Sequence, residues 1–282
     1  MACSPGFHET CADTVLSLRS VSYRYAGATD PAIRDVDLTM QDGELLGIVG
    51  ASEAGKSTLC LVAAGLAPRT IRGSLSGTVH LDGDDAASLK MHELAARIGI
   101  CFQRPWTQLS GVCETVFEEV AFGPMNLGAP RDETLARTEE ALTALAITDL
   151  APRDPARLSG GQMQLVAICG LLAMGPAHLV LDEPTAQLDP AGTRLVADAL
   201  AQLAASGASI LIAEQKTDLL AALCSRIIVL QAGRVIRDGP TVEVLTDPEL
   251  PRQGVPETSA GRLRRLATEA GIATELLDQA LD

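Results

Sequence analysis

Aromatic residues are scarce in this sequence, which has four Phe, two Tyr and one Trp among 282 residues. Large rings therefore cannot dominate the core. Ala, Leu, Val and Ile must build it, which suits helices packed on buried parallel strands. The chain length and the hydrophobic fraction of 47% are sufficient for a core that needs no metal or disulfide to hold it together.

The sequence also has fewer basic than acidic residues, and its cysteines show no C-x-x-C spacing. Against 36 Asp and Glu there are only 22 Lys and Arg, which gives a net charge of −14. Such a surface repels phosphate backbones, so we expect no nucleic-acid partner. The seven cysteines form no C-x-x-C pair and are irregularly spaced, which is typical of reduced thiols in a cytosolic protein.

No apolar run is long enough to span a membrane. The most apolar stretch, residues 165–181, is interrupted by Gly175-Pro176 and contains His178, whereas a span needs about 20 apolar residues. This stretch predicts a buried helix, a turn and a buried strand. The first 15 residues have neither a basic start nor an apolar segment, so we expect no signal peptide.

Strand and helix patterns alternate along most of the chain. Residues 14–25 and 33–40 alternate apolar and polar side chains, as strands with one solvated face do. Between 105 and 175 helical patterns dominate, and from 178 strands and helices alternate again. This order predicts an α/β fold whose mostly parallel sheet is interrupted by a helical insertion. The predicted helices of the insertion cover 112–122, 132–147 and 160–174.

Residues 50–58 match G-x-x-x-x-G-K-[ST] between the strand pattern LLGIV and the helix pattern TLCLVAAG. Glycines let backbone N–H groups converge on phosphate oxygens, and the following helix presents its positive end to them. Lys56 adds a point charge for the β and γ phosphates, and Ser57 can offer its hydroxyl to Mg²⁺. The predicted phosphate-binding residues are Gly50, Ala51, Ser52, Glu53, Ala54, Gly55, Lys56, Ser57 and Thr58.

An apolar strand, HLVL, ends in the acids Asp182 and Glu183. Ligands of open α/β sheets bind at the carboxyl ends of parallel strands. Asp182 would hold Mg²⁺, directly or through its water, and Glu183 would orient and deprotonate an attacking water. Taken alone, the pair could equally be a solvated strand end, but the phosphate-binding loop upstream favours the catalytic interpretation.

A second anion-binding pattern follows Leu158. Ser159 can cap the helix that begins there, and Gly160 and Gly161, which precede Gln162, leave backbone N–H groups accessible. An ordinary capped helix with a glycine-rich entry is the alternative. One chain thus carries two separate phosphate-binding patterns.

The sequence LSGGQ at 158–162 resembles the signature of the ABC ATPase family, and its position between a P-loop and LDEPT is that family's order. The resemblance implies an ABC cassette over 14–240, with a mostly parallel sheet core, an antiparallel β subdomain and a helical subdomain at about 105–175. Residues 241–282 would form a helical extension. It also implies a head-to-tail dimer, in which the signature of one cassette closes over the ATP held by the other.

Three further residues match that family's motifs. Tyr25 occupies the position of an aromatic residue that stacks on adenine, although it could simply be a strand-surface tyrosine. Gln103 matches the glutamine that links Mg²⁺ and the attacking water to the transporter contact. Asp189, in AQLD, matches the residue that communicates across the dimer.

Two positions depart from the family pattern. Glu53 replaces a common glycine, with a side chain that we expect to face solvent. Gln215 stands where the family usually has a histidine that touches the γ-phosphate. Its amide can donate a hydrogen bond but cannot carry positive charge or relay a proton. We hypothesise that the ATP site of this chain turns over slowly or depends on its partner.

The segment QRPWTQLSGVCETVFEEVAFGPMNLG resembles the ATPases of energy-coupling-factor importers, which take up vitamins and metal ions such as cobalt or nickel. In that family a second glutamine, here Gln108, is usual. The resemblance implies docking to a transmembrane scaffold subunit beside a substrate-binding membrane subunit, at the cytoplasmic face of the membrane. Glu118 and Glu119 could face basic residues of the scaffold, or they could form an ordinary solvated helix face.

Two alternatives remain open at this point. A soluble ABC ATPase acting on nucleic acid or ribosomes is disfavoured by the acidic charge and by the single cassette. A nucleotide-binding regulator with weak hydrolysis has Gln215 as its only support.

Overall fold

The computed structural model describes residues 14–270. Residues 1–13, on which the signal-peptide expectation rests and which include Cys3 and Cys11, lie outside that part, as does the end of the predicted extension. The strands are β1 Thr14–Tyr25, β2 Ile33–Gln41, β3 Leu45–Val49, β4 Gly73–Leu81, β5 Asp84–Asp85, β6 Ile98–Cys101, β7 His178–Asp182, β8 Ser209–Ala213, β9 Arg226–Gln231 and β10 Arg234–Pro240. The α-helices are α1 Lys56–Ala63, α2 Met91–Arg97, α3 Val116–Asn126, α4 Arg131–Ala144, α5 Gly160–Met174, α6 Pro190–Ala205, α7 Thr217–Leu223, α8 Thr241–Leu245 and α9 Ser259–Glu269.

The strands form two sheets. A four-stranded antiparallel sheet has the order β2-β1-β4-β5, and a six-stranded sheet has the order β10-β9-β3-β8-β7-β6. In the larger sheet the five strands from β9 to β6 are parallel, and β10 pairs antiparallel at one edge. The predicted fold class, a mostly parallel core with an antiparallel β part and a helical insertion, is confirmed.

The parallel strands are buried on both faces. In β3, Leu45 and Val49 pack into one hydrophobic cluster, whereas Leu46 and Ile48 pack into the other. The two clusters therefore lie on opposite sides of the sheet, as the period-two alternation of side chains requires. This burial explains why these strands read as continuous apolar runs in the sequence.

The helical insertion runs between β6 and β7, which are neighbours in the sheet. Helix α3 begins at Val116, not at 112, because Thr115 and Glu118 form a reciprocal capping box at its start. Helix α4 ends at Ala144, not at 147, and Ala146 has a left-handed φ of 50°. The seven-residue helix α2 was not predicted. The apolar stretch 165–181 is a helix, a turn and a buried strand, as predicted.

The chain after β10 packs back on the core. Helix α8, a 3₁₀ turn at Leu250–Gln253 and helix α9 follow one another. Leu245, Leu250 and Val255 are buried members of the main hydrophobic cluster. Within residues 14–270, no helix is long and apolar enough to cross a membrane.

Candidate active site

The phosphate-binding loop joins β3 to α1. At Gly50 a Cβ would lie 2.3 Å from the carbonyl oxygen of Leu230, and at Gly55 it would lie 2.7 Å from that of Ala32. Gly55 also has a φ of 105°, in the left-handed region that side chains rarely adopt. Both glycines of the motif are therefore required by close backbone contacts as well as by the curl of the loop.

Lys56 lies inside this loop. Only 5% of its surface is exposed, and its Nζ donates hydrogen bonds to the carbonyl oxygens of Gly50, at 2.8 Å, and Ala51, at 3.1 Å. The ammonium group is thus fixed at the N-terminal end of α1, where the helix dipole adds positive potential. Ser52 and Glu53 are exposed, so Glu53 points to solvent as expected, and its φ of 65° is left-handed.

Asp182 ends β7 beside the loop. Its carboxylate lies near the hydroxyl of Ser57, and its Oδ1 is buried without a hydrogen-bond partner among the described residues. Burial, reinforced by the neighbouring Glu183, raises the pKa of Asp182 to about 6, although Ser57 and Lys56 oppose that shift. A hydroxyl oxygen and a carboxylate oxygen with an unused lone pair are donors that suit Mg²⁺, so the predicted metal residues fit that ion.

Glu183 is held by two glutamines. Nε2 of Gln103 donates to Oε2 and Nε2 of Gln215 donates to Oε1, both over 2.7 Å. The residue is 8% exposed, has a left-handed φ of 48° and donates its backbone N–H to Ala213. This carboxylate therefore has one fixed orientation at the carboxyl end of β7, as a residue that orients water requires.

A buried carboxylate that sequence reasoning missed lies behind Glu183. Oε1 of Glu214 accepts hydrogen bonds from the backbone N–H and the hydroxyl of Thr185, at 3.0 and 2.5 Å. Its Oε2 accepts from the backbone N–H groups of Gln215 and Lys216, at 3.0 and 3.4 Å. Lys216 in turn donates from Nζ to the carbonyl of Thr185 over 2.8 Å.

Glu214 thereby joins the turn that carries Gln215 to the turn that follows Glu183. The sequence signal was available, because an acid directly after the buried run SILIA needs hydrogen-bond partners to be stable there.

The signature residues form the predicted cap. Ser159 Oγ accepts from the N–H of Gln162 at 3.3 Å, and Gln162 Oε1 accepts from the N–H of Ser159 at 3.0 Å. A Cβ at Gly160 would lie 2.5 Å from Oε1 of Gln187, so the glycine is closely packed. Asp189 caps α6 by accepting from the N–H of Gly192 at 2.7 Å. The signature is therefore next to the 186–189 loop of its own chain.

Tyr25 lies against the start of α1. Its hydroxyl is 2.9 Å from Oγ1 of Thr58, and its ring packs edge-on against Tyr23 with centroids 5.1 Å apart. The residue is half-buried, so part of its surface remains accessible to solvent. The stacking of adenine on Tyr25 stays a prediction.

The predicted residues thus fall into two groups. The loop 50–58, Tyr25, Gln103, Asp182, Glu183 and Gln215 share one site. Ser159, Gly160, Gly161, Gln162 and Asp189 form a second group, which the turn after Glu183 connects to the first.

The acidic pair of α3 has partners within the chain. Glu118 accepts hydrogen bonds from the N–H groups of Glu114 and Thr115, and Glu119 accepts from the N–H and hydroxyl of Ser110. These bonds order the loop before α3. Contact with a basic scaffold surface is therefore not needed to explain either acid. Gln108 likewise bonds to the backbone at Ile100 and Phe102.

Comparisons with known proteins agree with this geometry. The ABC transporter family model matches residues 33–186. The energy-coupling factor transporter ATP-binding protein EcfA of Methanosphaera stadtmanae is 38% identical, over 84% of this chain and 83% of that protein. The cobalt import ATP-binding protein CbiO of Rhodobacter capsulatus is 41% identical, over 85% and 84%.

Solved structures show the same architecture. The cbiO1 protein of Clostridium perfringens, described as part of the ABC transporter complex cbiONQ, superposes with a TM-score of 0.73 and 32% identity, over 92% of this chain and all of that one. The MJ0796 cassette, a dimer in a post-hydrolysis state bound to ADP and Pi, superposes with a TM-score of 0.71 and 26% sequence identity, over 80% of this chain and 98% of that one. The chain therefore belongs to the ABC transporter ATP-binding family, whose members bind ATP and act as ATPases, and it resembles the ATP-binding proteins of energy-coupling-factor and cobalt importers.

Proposed function

We propose that this chain hydrolyses ATP to power an energy-coupling-factor type membrane importer, as one of two cassettes in a dimer. The observation that carries the proposal is the carboxylate of Glu183, which Gln103 and Gln215 hold by both oxygens at the end of β7. Asp182 and the Lys56 loop lie beside it. One site thus combines a phosphate-binding loop with an oriented general base.

Each residue has a defined task. The loop and Lys56 bind the β and γ phosphates, and Glu183 orients a water and accepts its proton. Ser57 and Asp182, with the amide oxygen of Gln103 as a third candidate ligand, would hold Mg²⁺. That ion would neutralise charge on the β and γ phosphates.

A second cassette would complete the site. Ser159 and the glycines after it lie beside the 186–189 loop of their own chain, and the resemblance assigns them to ATP bound by a partner. Support comes from the dimeric MJ0796 cassette, a structural neighbour of this chain. The partner can be an identical chain or a different one.

The membrane partners would contact the helical insertion. Trp106 and Met125 are more than half exposed, and a groove between α3 and α5 is lined by Gln108, Phe122 and Met174. A cytoplasmic helix of a transmembrane scaffold subunit would fit such a surface, with the substrate-binding subunit alongside in the membrane. The chain would then be peripheral, at the cytoplasmic face. Support for an assembly with other subunits comes from the structural neighbour cbiO1, which is described as part of the ABC transporter complex cbiONQ.

The test is to purify the tagged chain with its membrane partners and to measure ATP turnover for the native chain and Glu183→Gln. We expect co-purification of a multi-spanning membrane protein and a drop in turnover of at least about 100-fold, with ATP affinity retained. If the native complex is already as slow as the variant, the chain is instead a nucleotide-binding regulator with weak hydrolysis. The observation that favours this second candidate is the residue type at position 215, a glutamine whose neutral amide can neither carry positive charge nor relay a proton.

A further inference from the structure

The turn at Gly254, beyond β10, touches the phosphate-binding loop. A Cβ at Gly254 would lie 2.8 Å from Cβ of Ala51 and 3.5 Å from its Cα. Carbon atoms in favourable contact are about 3.5–4.0 Å apart, so only the bare backbone of a glycine fits here. The glycine also has a φ of 79°.

The turn is firmly anchored. Leu250 and Val255, on either side of it, are each 2% exposed and belong to the main hydrophobic cluster. The N–H of Gly254 donates to the carbonyl of Pro251 over 3.2 Å, and that of Val255 donates to Leu250 over 3.1 Å. Gly254 is therefore fixed by the buried residues on either side of it, and its contact with Ala51 is a consequence of core packing.

The chain after Gly254 is fastened to α7. The hydroxyl of Thr217 donates to the carbonyl of Glu257 over 3.3 Å, and Ser259 donates from its N–H and hydroxyl to the carboxylate of Asp218, at 2.7 and 2.5 Å. Helix α7 begins two residues after Gln215. Residues 254–259 therefore bridge the phosphate-binding loop and the element that follows Gln215.

We propose that Gly254 is a positioning residue for ATP binding and that residues 250–259, which we name the buttress, set the position of the phosphate-binding loop. The proposal deepens the proposed function and rests on it. Backbone N–H groups of the loop must meet phosphate oxygens at hydrogen-bond distance, so a small displacement of Ala51 weakens several bonds together. The buttress gives the region after β10 a direct effect on nucleotide affinity.

The test uses the full-length chain, with the affinity for Mg-ATP measured by calorimetry and the melting temperature recorded in parallel. Gly254→Ala should weaken ATP binding about tenfold. Gly128→Ala is the matched control, because Gly128 has a φ of 82° and no atom within 4 Å of its Cβ position. Both variants carry the same backbone strain, and only Gly254→Ala meets Ala51. Gly128→Ala should lower the melting temperature and leave ATP affinity unchanged.

A second substitution tests the contact itself. Ala51→Gly removes the atom that Gly254→Ala would meet. The affinity of the double variant should return to within about twofold of Ala51→Gly alone. The proposal is overturned if Gly254→Ala binds ATP like the native chain. It is equally overturned if the loss persists in full in the double variant, because the effect would then not pass through Ala51.

Failure of the proposed function would look different. If the native chain itself shows no magnesium-dependent affinity for ATP, the assignment of the site is wrong, and the variants have nothing to modulate. If the native chain binds ATP and Gly254→Ala binds it equally well, only the buttress is refuted.

Discussion

Gln215 donates one hydrogen bond to Glu183, from Nε2 to Oε1 over 2.7 Å. The amide is neutral, so it orients the carboxylate without supplying positive charge. A histidine at this position could do both and could also relay a proton. The bond therefore connects Gln215 directly to Glu183, the residue that we propose as the general base.

Replacing Gln215 by His should raise the ATP turnover of the assembled complex several-fold, since a charged donor stabilises developing negative charge better than an amide does. A group that transfers a proton typically raises a reaction rate by about 100-fold or more. Because Glu183 is already held in one orientation by Gln215, we expect the histidine to raise the turnover rate by only about 3- to 10-fold. Gln215→Ala, which removes the bond to Glu183, should slow turnover. An unchanged rate in Gln215→His would refute the hypothesis of a slow site.

Glu214→Gln should destabilise the fold by about 2 kcal/mol, because the new amide has one oxygen where the carboxylate has two. Its NH₂ group would face the N–H donors of either Thr185 or Gln215 and leave them unpaired. Urea denaturation measures the change. The control is Glu243→Gln, which alters an exposed acid and should stay within about 0.5 kcal/mol of the native chain. Equal stability of the two variants would contradict the buried network.

Glu53→Gly should stabilise the protein by about 0.5 kcal/mol. A side chain in the left-handed region costs about 1 kcal/mol, and the greater backbone freedom of unfolded glycine offsets part of that gain. The denaturation midpoint should rise with an unchanged slope. Glu114→Gly, at an exposed acid whose φ is not positive, should lower it. A loss of stability in Glu53→Gly would show that the φ of 65° is not strained.

Tyr25 can be tested with two substitutions that separate its ring from its hydroxyl. Tyr25→Phe loses only the bond to Thr58, and Tyr25→Ala loses the ring as well. If adenine stacks on the ring, ATP affinity should be nearly kept in Tyr25→Phe and should fall by about 1 kcal/mol or more in Tyr25→Ala. Equal losses in the two variants would assign the effect to the hydroxyl and argue against stacking.

The residues that sequence reasoning located best are those whose roles are local. The curl around Lys56 requires glycines at fixed spacing, and the cap at Ser159 requires its partner three residues later. Such constraints lie within a few residues of each other and are visible without a fold. For the same reason the start of α3 could have been placed correctly, because the Thr115–Glu118 capping box was present in the sequence.

The two hydrogen bonds that Gln103 and Gln215 donate to Glu183 could not be predicted in this way. Gln103, Glu183 and Gln215 follow β6, β7 and β8, which are far apart in sequence and adjacent in the sheet. Local patterns reveal the strands but not their order. The contact between Gly254 and Ala51 depends on tertiary packing of the region after β10 and was equally inaccessible.

Strands β6 and β7 are neighbours, although the whole helical insertion lies between them in the chain. The segment that leaves β6 and the segment that enters β7 therefore lie side by side, and the first of them contains Gln103. A tilt of the helices about these two strand ends would move Gln103 and thereby change its hydrogen bond to Oε2 of Glu183. A movement of the helical insertion imposed from outside the cassette would therefore reach one oxygen of the Glu183 carboxylate through Gln103.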